Sequence, residues 1–138
     1  MKIIKLKCDP MGVEFFSNLY LAKDHNSEER TFYSLYQTLT LWMTGNYHVY
    51  VPMVDEQPIG IMHGQYTEGD FFGHVYMIKE FRRKSLVALE ETIKTICEDM
   101  PTQRIIAGIL DNNKPAKILV SAAGFKRFKK DKYILEIK

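Results

Sequence analysis

Cysteine is scarce in this chain, and the two that occur, Cys8 and Cys97, lie far apart in the sequence. They form no CxxC pair, and the four histidines form no HxxxH pattern, so the spacing typical of metal ligands is missing. Two distant cysteines also make no disulfide framework, which favours free thiols in a reducing compartment. The sequence therefore predicts a cytoplasmic protein without a metal site.

Long apolar runs are missing as well. The N-terminal segment MKIIKLKCDP lacks the apolar stretch of a signal peptide, and no run approaches the length of a membrane span. The net charge of +2 is too small to indicate a specific nucleic-acid partner. We interpret the cations that crowd the C-terminal end as a solvated hairpin edge rather than an anion-binding patch. They are Lys126, Arg127, Lys129, Lys130 and Lys132.

The composition is that of a folded domain. With 46% hydrophobic and 26% charged residues, the chain suits a single domain, residues 1–138, with a substantial core. Apolar periodicity and turn residues predict the element order βααβββαβαββ. The predicted fold class is α+β, with helices flanking a mostly antiparallel central sheet. A strand-helix-strand unit in the second half adds one parallel pair.

Several element boundaries can be read from single residues. Asp9-Pro10 has the form of an N-cap followed by proline in the first helical turn. The second helix is predicted to start near Asn26, and the last helix is capped by Asn112 or Asn113. The stretch RIIAGIL is nearly continuous apolar sequence, which predicts a buried central strand.

Two stretches carry a resemblance to a known family. The first is GHVYMIKEF followed by RRKSLVALEETI, and the second is NKPAKILVSAAGF, in which Asn113, Ala116, Gly124 and Phe125 occupy the expected positions. With this element order, the sequence resembles the GNAT family of N-acetyltransferases over nearly its whole length. The resemblance implies acetyl-CoA as cosubstrate and an amine-bearing small molecule or protein as acceptor. It also implies a cofactor contact by Asn113.

The acetyl-CoA signature of that family is altered here. The resemblance places it on Arg82, Arg83, Lys84, Ser85, Leu86 and Val87. It implies that backbone N–H groups at the start of a helix hold the pyrophosphate, with the cations adding charge-assisted contacts. Ser85 replaces a glycine but is small enough to present its N–H. Val87 replaces a second small residue and narrows the site if it faces the phosphates, unless Ala88 serves in its place. The alternative is a plain amphipathic helix with a basic start.

Catalytic residues follow from the chemistry and from the resemblance together. Attack on a thioester requires a neutral amine, and His74 is our first choice for the base because histidine titrates near neutrality. Tyr76, on the same face of the strand, is the candidate acid, and His63 is a reserve base. For each, the alternative is a packed structural residue.

The family's polarising group and its proton donor are implied by the resemblance alone. A backbone N–H on the fourth strand polarises the thioester carbonyl, which implies Met77 and Ile78. Many members carry a tyrosine on the last helix that protonates the departing thiolate. The corresponding residue here is Val120, which cannot donate a proton.

These departures leave a second hypothesis open. The chain also resembles the small GNAT-like proteins of some short-tailed bacteriophages, and it would then be a catalytically inactive structural or interaction protein. That reading implies a homodimer or virion and assembly partners, and a location in the host cytoplasm or the virion. The missing signature glycines, the missing tyrosine and the short final hairpin favour it.

Overall fold

Helices on both faces of one mixed sheet form the fold, seen in a computed structural model that describes residues 1–21, 32–109 and 111–137. The helices are α1 (Pro10–Tyr20), α2 (Phe32–Met43), α3 (Ser85–Asp99) and α4 (Lys114–Ala122). The strands are β1 (Lys2–Lys5), β2 (Tyr47–Val54), β3 (Gln57–Pro58), β4 (Gly60–Thr67), β5 (Asp70–Met77), β6 (Arg104–Gly108), β7 (Lys126–Lys129) and β8 (Lys132–Glu136).

The predicted fold class and element order are confirmed, with two additions. A two-residue strand, β3, pairs with the end of β2, and a 3-10 helix, Lys79–Lys84, precedes α3. Both are too short to leave a periodic signal in the sequence. The predicted start of the second helix near Asn26 lies outside the described residues. No helix among the described residues is long and apolar enough to cross a membrane.

Local signals in the sequence explain where two helices begin. Asp9 accepts a hydrogen bond from the Gly12 N–H at 2.8 Å, with Pro10 in the first turn of α1. Asn113 accepts one from the Ala116 N–H at 3.2 Å, which decides between the two predicted caps of α4. Gly124 then reverses the chain with a φ of 98°, a conformation that favours glycine.

The sheet has the strand order β1-β2-β4-β5-β6-β8-β7, and β3 lies beside β2. Every pair is antiparallel except β5 with β6, as the strand-helix-strand unit predicted. That parallel pairing runs only from Asp70 opposite Arg104 to Gly73 opposite Ala107. Strand β5 continues to Met77 alongside β4 alone. The sheet therefore opens between β5 and β6, and this opening positions the candidate site.

Two apolar cores hold the helices on the sheet. On one face, called the α1/α2 face, Phe16, Trp42 and Ile61 pack together; on the other, called the α3/α4 face, Leu89, Ile105 and Val120 do so. Each core contains residues from several strands, because successive residues of a strand alternate between the faces. Both faces of the sheet are thus covered at its centre, in agreement with the predicted flanking helices.

Two glycines opposite each other make room for an aromatic ring on the α3/α4 face. Gly64 and Gly73 are partners in the β4–β5 ladder. A Cβ atom on either one would lie 2.8 Å from Cε1 of Phe71, which is fully buried. The ring therefore packs over a patch of bare backbone. Gly73 is also in the last pair of the β5–β6 ladder, so this packing sits at the base of the opening.

Candidate functional site

The opening between β5 and β6 is bounded by His74–Met77 on one side and by the end of β6 at Gly108 on the other. We call this space the β5–β6 opening. The chain segments that follow the two strands leave from the same edge of the sheet, because the strands are parallel. One segment carries Arg82, and the other carries Asn113. The structure therefore brings the residues of both family-like stretches to one end of the sheet.

Backbone donors of β5 point into this opening. The Ile78 N–H donates to the Ile59 carbonyl at 2.9 Å, so it faces the neighbouring chain on the β4 side. Donors alternate between the two edges of a strand, and Met77 is opposite Gly60 in the β4–β5 register. The Met77 N–H therefore turns away from β4, towards the opening. Of the two predicted polarising groups, Met77 has the required direction and Ile78 does not.

The predicted acid and base lie side by side on the α1/α2 face. The rings of His74 and Tyr76 are nearly parallel, with centroids 6.5 Å apart and planes inclined by 9°. His74 is exposed and Tyr76 is half-buried. A Cβ atom on Gly108 would lie 3.4 Å from Cε1 of His74, so the imidazole reaches across the β5–β6 opening. The predicted sharing of one face is confirmed by this stacking.

His63 lies behind this pair and is shielded from solvent, with 2% of its surface exposed. Its ring centroid is 5.6 Å from that of His74 and 5.7 Å from that of Tyr76. Its Nδ1 atom is hydrogen-bonded to the Tyr47 hydroxyl at 2.5 Å. Burial makes an imidazolium costly at this position, which is less suited to a proton acceptor than the exposed position of His74.

Tyr47 determines which ring nitrogen of the buried His63 imidazole carries the proton. Burial raises the pKa of Tyr47 above its ordinary value, and Tyr76 and Tyr20 add to the effect. The phenol therefore stays protonated at neutral pH and donates to Nδ1 of His63. A neutral His63 then carries its proton on Nε2. The tyrosine escaped notice in the sequence, because only the strand register reveals that it reaches His63.

The three predicted cations lie in the 3-10 helix, before α3 rather than in its first turn. Arg82, Arg83 and Lys84 are all exposed, and no described carboxylate forms an ion pair with them. Helix α3 begins at Ser85 without a side-chain cap. An uncapped helix start next to exposed cations is an electropositive surface at the edge of the sheet where β5 ends.

The backbone of this segment differs from the predicted phosphate loop in one respect. The Ser85 N–H donates to the Arg82 carbonyl, so it is not presented to a ligand as the sequence led us to expect. The 3-10 helix runs directly into α3, since the segment has no glycine that would open the turn. Leu86, the next residue, is half-buried.

Val87 faces away from the β5–β6 opening. Its side chain is 52% exposed and lines an open groove of about 720 Å³ together with Met1, Lys2 and Met53. Those neighbours belong to β1 and β2 or precede them, on the far side of β4 and β5 from the opening. The adjacent Ala88 is buried. Lys84, one of the three predicted cations, lines the same groove, so the narrowing of a phosphate site by Val87 stays a prediction.

The last helix contributes a cap and a core residue. Asn113 is exposed just beyond β6, where its side-chain oxygen already serves as the N-cap of α4. Val120 is fully buried in the core of the α3/α4 face. The position that carries the proton-donating tyrosine in the resembled family is thus a packing position here. Tyr76 remains the candidate donor.

Two further residues at the opening were not singled out by the sequence as site residues. Gly108 is exposed and opposite Lys132 in the β6–β8 ladder, and Lys132 had been interpreted only as part of a soluble edge. Gly108 could have been found from its place inside the apolar run RIIAGIL, since a glycine within a strand often marks a place where a ligand or another backbone comes close. No comparable signal distinguishes Lys132 from the other cations near the C-terminus.

Comparison with known proteins connects the chain to acetyltransferases through its fold. No protein-family model matches the sequence, and no curated protein matches it. The structure is similar to that of a probable acetyltransferase from Staphylococcus epidermidis, with a TM-score of 0.77 and 15% identity over 99% of each chain.

Two similar structures contain coenzyme A or acetyl coenzyme A. N-acetyltransferase PseH from Campylobacter jejuni, in complex with acetyl coenzyme A, has a TM-score of 0.67 and 17% identity over 99% of each chain. Spermidine N-acetyltransferase from Vibrio cholerae, in complex with CoA and spermine, has a TM-score of 0.72 and 11% identity, covering 97% of this chain and 95% of that one. At such identities the similarity establishes the fold, which is the one these N-acetyltransferases share.

Proposed function

We propose that this chain is an acetyl-CoA-dependent N-acetyltransferase, with residues 1–138 as one acyltransferase domain that acetylates an amine. The observation that carries the proposal is the β5–β6 opening with the Met77 N–H turned into it. A fold shared with acetyltransferases that hold coenzyme A or acetyl coenzyme A supports the choice of cosubstrate.

The residues around the opening fit that cosubstrate. Coenzyme A carries several phosphate groups at one end and its thioester at the other. The exposed side chains of Arg82, Arg83 and Lys84, which directly precede α3, suit the phosphates. Asn113 lies at the same edge of the sheet and would contact the chain between the two ends. The thioester would then reach the part of the opening that His74 borders.

The chemistry required of the protein is modest. Acetyl-CoA supplies the acetyl group as a thioester. The Met77 N–H donates to its carbonyl oxygen, which makes the carbon more electrophilic. His74 takes the proton that the amine nitrogen loses as the new N–C bond forms. Tyr76 gives a proton to the sulfur as the C–S bond breaks, and the stacking of the two rings holds acid and base side by side.

Binding of acetyl-CoA is the first test. We expect isothermal titration calorimetry to show a dissociation constant in the micromolar-to-millimolar range. Arg82→Ala should weaken binding about tenfold, since it removes a charge-assisted contact to phosphate. Lys94→Ala is the matched control, because Lys94 is an exposed cation in α3, well beyond the segment of Arg82, and its removal should leave the affinity unchanged.

The outcome decides between the two hypotheses drawn from the sequence. No heat of binding at millimolar acetyl-CoA would contradict the enzymatic proposal and favour an inactive interaction protein built on the same fold. Equal weakening by Arg82→Ala and Lys94→Ala would contradict the assignment of the phosphate contact while leaving the cosubstrate in place. Release of free CoA thiol in the presence of an amine completes the demonstration of transfer.

A further inference from the structure

We propose that the acceptor amine also carries an anionic group, a carboxylate or a phosphate, which Lys132 binds beside the β5–β6 opening. The inference rests on the proposed function and concerns the acceptor, about which the fold says nothing. It follows from three features of the α1/α2 face near His74: a gap without a side chain, a cation beside that gap, and an exposed aromatic ring beneath the cation.

The gap is at Gly108. This residue is exposed, and the place where its Cβ would stand is in van der Waals contact with the His74 imidazole at 3.4 Å. The backbone of Gly108 has a φ that any residue can adopt, so the glycine is not required by a turn. Among the described residues other than its chain neighbours, His74 alone comes within 4 Å of the place where a Cβ on Gly108 would stand. An acceptor can therefore approach His74 from the β6 side.

Lys132 stands on the other side of that gap. It is the partner of Gly108 in the β6–β8 ladder, and partners in a ladder project to the same face of the sheet. Neighbouring strands lie about 4.8 Å apart, so one strand separates the Lys132 backbone from the His74 ring. An amine held at His74 would thus leave the remainder of its molecule within reach of the Lys132 ammonium.

Lys132 is exposed, and its ammonium lies near an aromatic ring of the same face. Its Nζ lies 5.9 Å from the centroid of the Phe72 ring, which is 40% exposed on the same face as His74. No described carboxylate forms an ion pair with Lys132. A cation placed over an aromatic ring keeps its donors available to a ligand.

Two described acids, Asp70 and Glu136, share this face at the far end of the strands, where both are opposite Arg104, and Asp131 directly precedes Lys132 in the chain. Asp70, two residues before Phe72, accepts two hydrogen bonds from the Arg104 guanidinium, at 2.9 Å and 2.7 Å. It is therefore neutralised by a paired cation and does not compete for Lys132. By strand register, Lys132 is the charged side chain opposite Gly108 on this face, whereas Asp70 and Glu136 are opposite Arg104. Electrostatic complementarity then favours an acceptor with a negative group over a polycation.

Matched pairs of amines test the proposal. The probes are O-phosphoethanolamine against ethanolamine, and β-alanine against β-alaninamide, each at saturating acetyl-CoA with release of CoA thiol as the readout. We expect a higher kcat/KM for the anionic member of at least one pair, by about tenfold. A preference in the first pair alone indicates a phosphate, and one in the second pair alone indicates a carboxylate.

The variant Lys132→Met tests whether Lys132 is the residue that causes the preference for the anionic amine. It should lower kcat/KM for the preferred anionic amine about tenfold and leave that of the neutral partner unchanged. Lys94→Met removes the same charge from the opposite side of the protein and should preserve the preference. A loss of activity through misfolding would affect both members of a pair equally, so the ratio of the two distinguishes the cases.

The remaining outcomes contradict the proposal. Equal rates within both pairs, or no transfer to either anionic probe by a chain that binds acetyl-CoA, would overturn the anionic acceptor. A preference that survives Lys132→Met would overturn the role of Lys132. Failure to bind acetyl-CoA is seen by calorimetry before any amine is added, and it refutes the proposed function itself.

Discussion

His63 and His74 are partners in the β4–β5 ladder, with ring centroids 5.6 Å apart, yet their surroundings are opposite. His63 is 2% exposed and bonded to Tyr47, whereas His74 is exposed at the β5–β6 opening. His63 is therefore the shielded member of the pair, and the exposed His74 is the one that we propose as the base.

The first prediction follows from this difference in exposure between His63 and His74. His74→Ala should lower kcat for acetyl transfer by a factor of about 10²–10⁴, the usual contribution of a positioned base. The affinity for acetyl-CoA should remain within about twofold, because His74 lies on the α1/α2 face, away from the cations that precede α3. Steady-state kinetics and calorimetry on the same preparation measure the two quantities.

His48→Ala is the control for this experiment. His48 is half-buried near Lys5 and Asp99, on the other side of β4 from the opening. Its loss should leave kcat unchanged. Unchanged turnover in His74→Ala, or an equal loss in both variants, would remove His74 from the mechanism and return attention to His63.

Much of this arrangement was readable from the sequence, and the reasons are local. The caps at Asp9 and Asn113 depend on residues three positions away, and the alternation of His74 with Val75 follows from the geometry of any strand. These features need no knowledge of the tertiary structure. The element order and the fold class follow from the same kind of local pattern.

What the sequence could not provide depends on packing between distant segments. Val87 lines a groove together with Met1 and Met53, which lie more than thirty residues away in the chain. The hydrogen bond between Tyr47 and His63 forms because β2 and β4 are neighbouring strands. The special position of Lys132 follows from its pairing with Gly108. None of these partners can be chosen without the strand order.

The second prediction concerns Val87. If its bulk obstructed the cosubstrate, Val87→Ala would strengthen acetyl-CoA binding substantially. Because the side chain lines the groove beside β1 and β2, we expect the dissociation constant to change by less than about twofold, well under the roughly tenfold change that 1.4 kcal/mol represents. Calorimetry with the wild type and the variant measures this. A tenfold gain in affinity would show that Val87 faces the phosphates after all.

The third prediction is a pH dependence of stability. Asp99 accepts hydrogen bonds from Lys5 and from the hydroxyl of the buried Tyr50, and these lower the pKa of its carboxyl. A carboxyl with a depressed pKa stabilises the fold above its unfolded value of about 3.9. That contribution is lost as the pH falls through the lower, folded pKa.

Asp99→Asn should therefore cost about 0.5–1 kcal/mol at pH 7, since the group is partly exposed and its ion pair is screened. The difference from the wild type should shrink below about pH 4, where the carboxyl of the unfolded chain takes up a proton, and vanish below the lower pKa of the folded state. Urea unfolding across this range measures it. Glu98→Gln, at the exposed neighbouring position, should cost little at any pH. A difference for Asp99→Asn that stays constant with pH would contradict the assignment.

The fourth prediction concerns the glycine pair at the base of the opening. An alanine at position 64 would place its Cβ 2.1 Å from the Phe72 carbonyl oxygen and 2.8 Å from the Phe71 ring. The backbone contact cannot relax by a side-chain rotation, so β4 and β5 must separate locally. We expect Gly64→Ala to lower the free energy of unfolding by about 1–3 kcal/mol, as overpacking does.

Gly108→Ala provides the matched comparison, because the new Cβ would meet only the His74 ring, at 3.4 Å. Its effect on the free energy of unfolding should stay within about 0.5 kcal/mol, as for other surface changes. Since Gly73 is both the partner of Gly64 and part of the last β5–β6 pair, Gly64→Ala should also weaken acetyl-CoA binding by displacing β5 at the opening. Full stability and unchanged affinity in Gly64→Ala would mean that the ring of Phe71 does not set the position where β5 leaves β6.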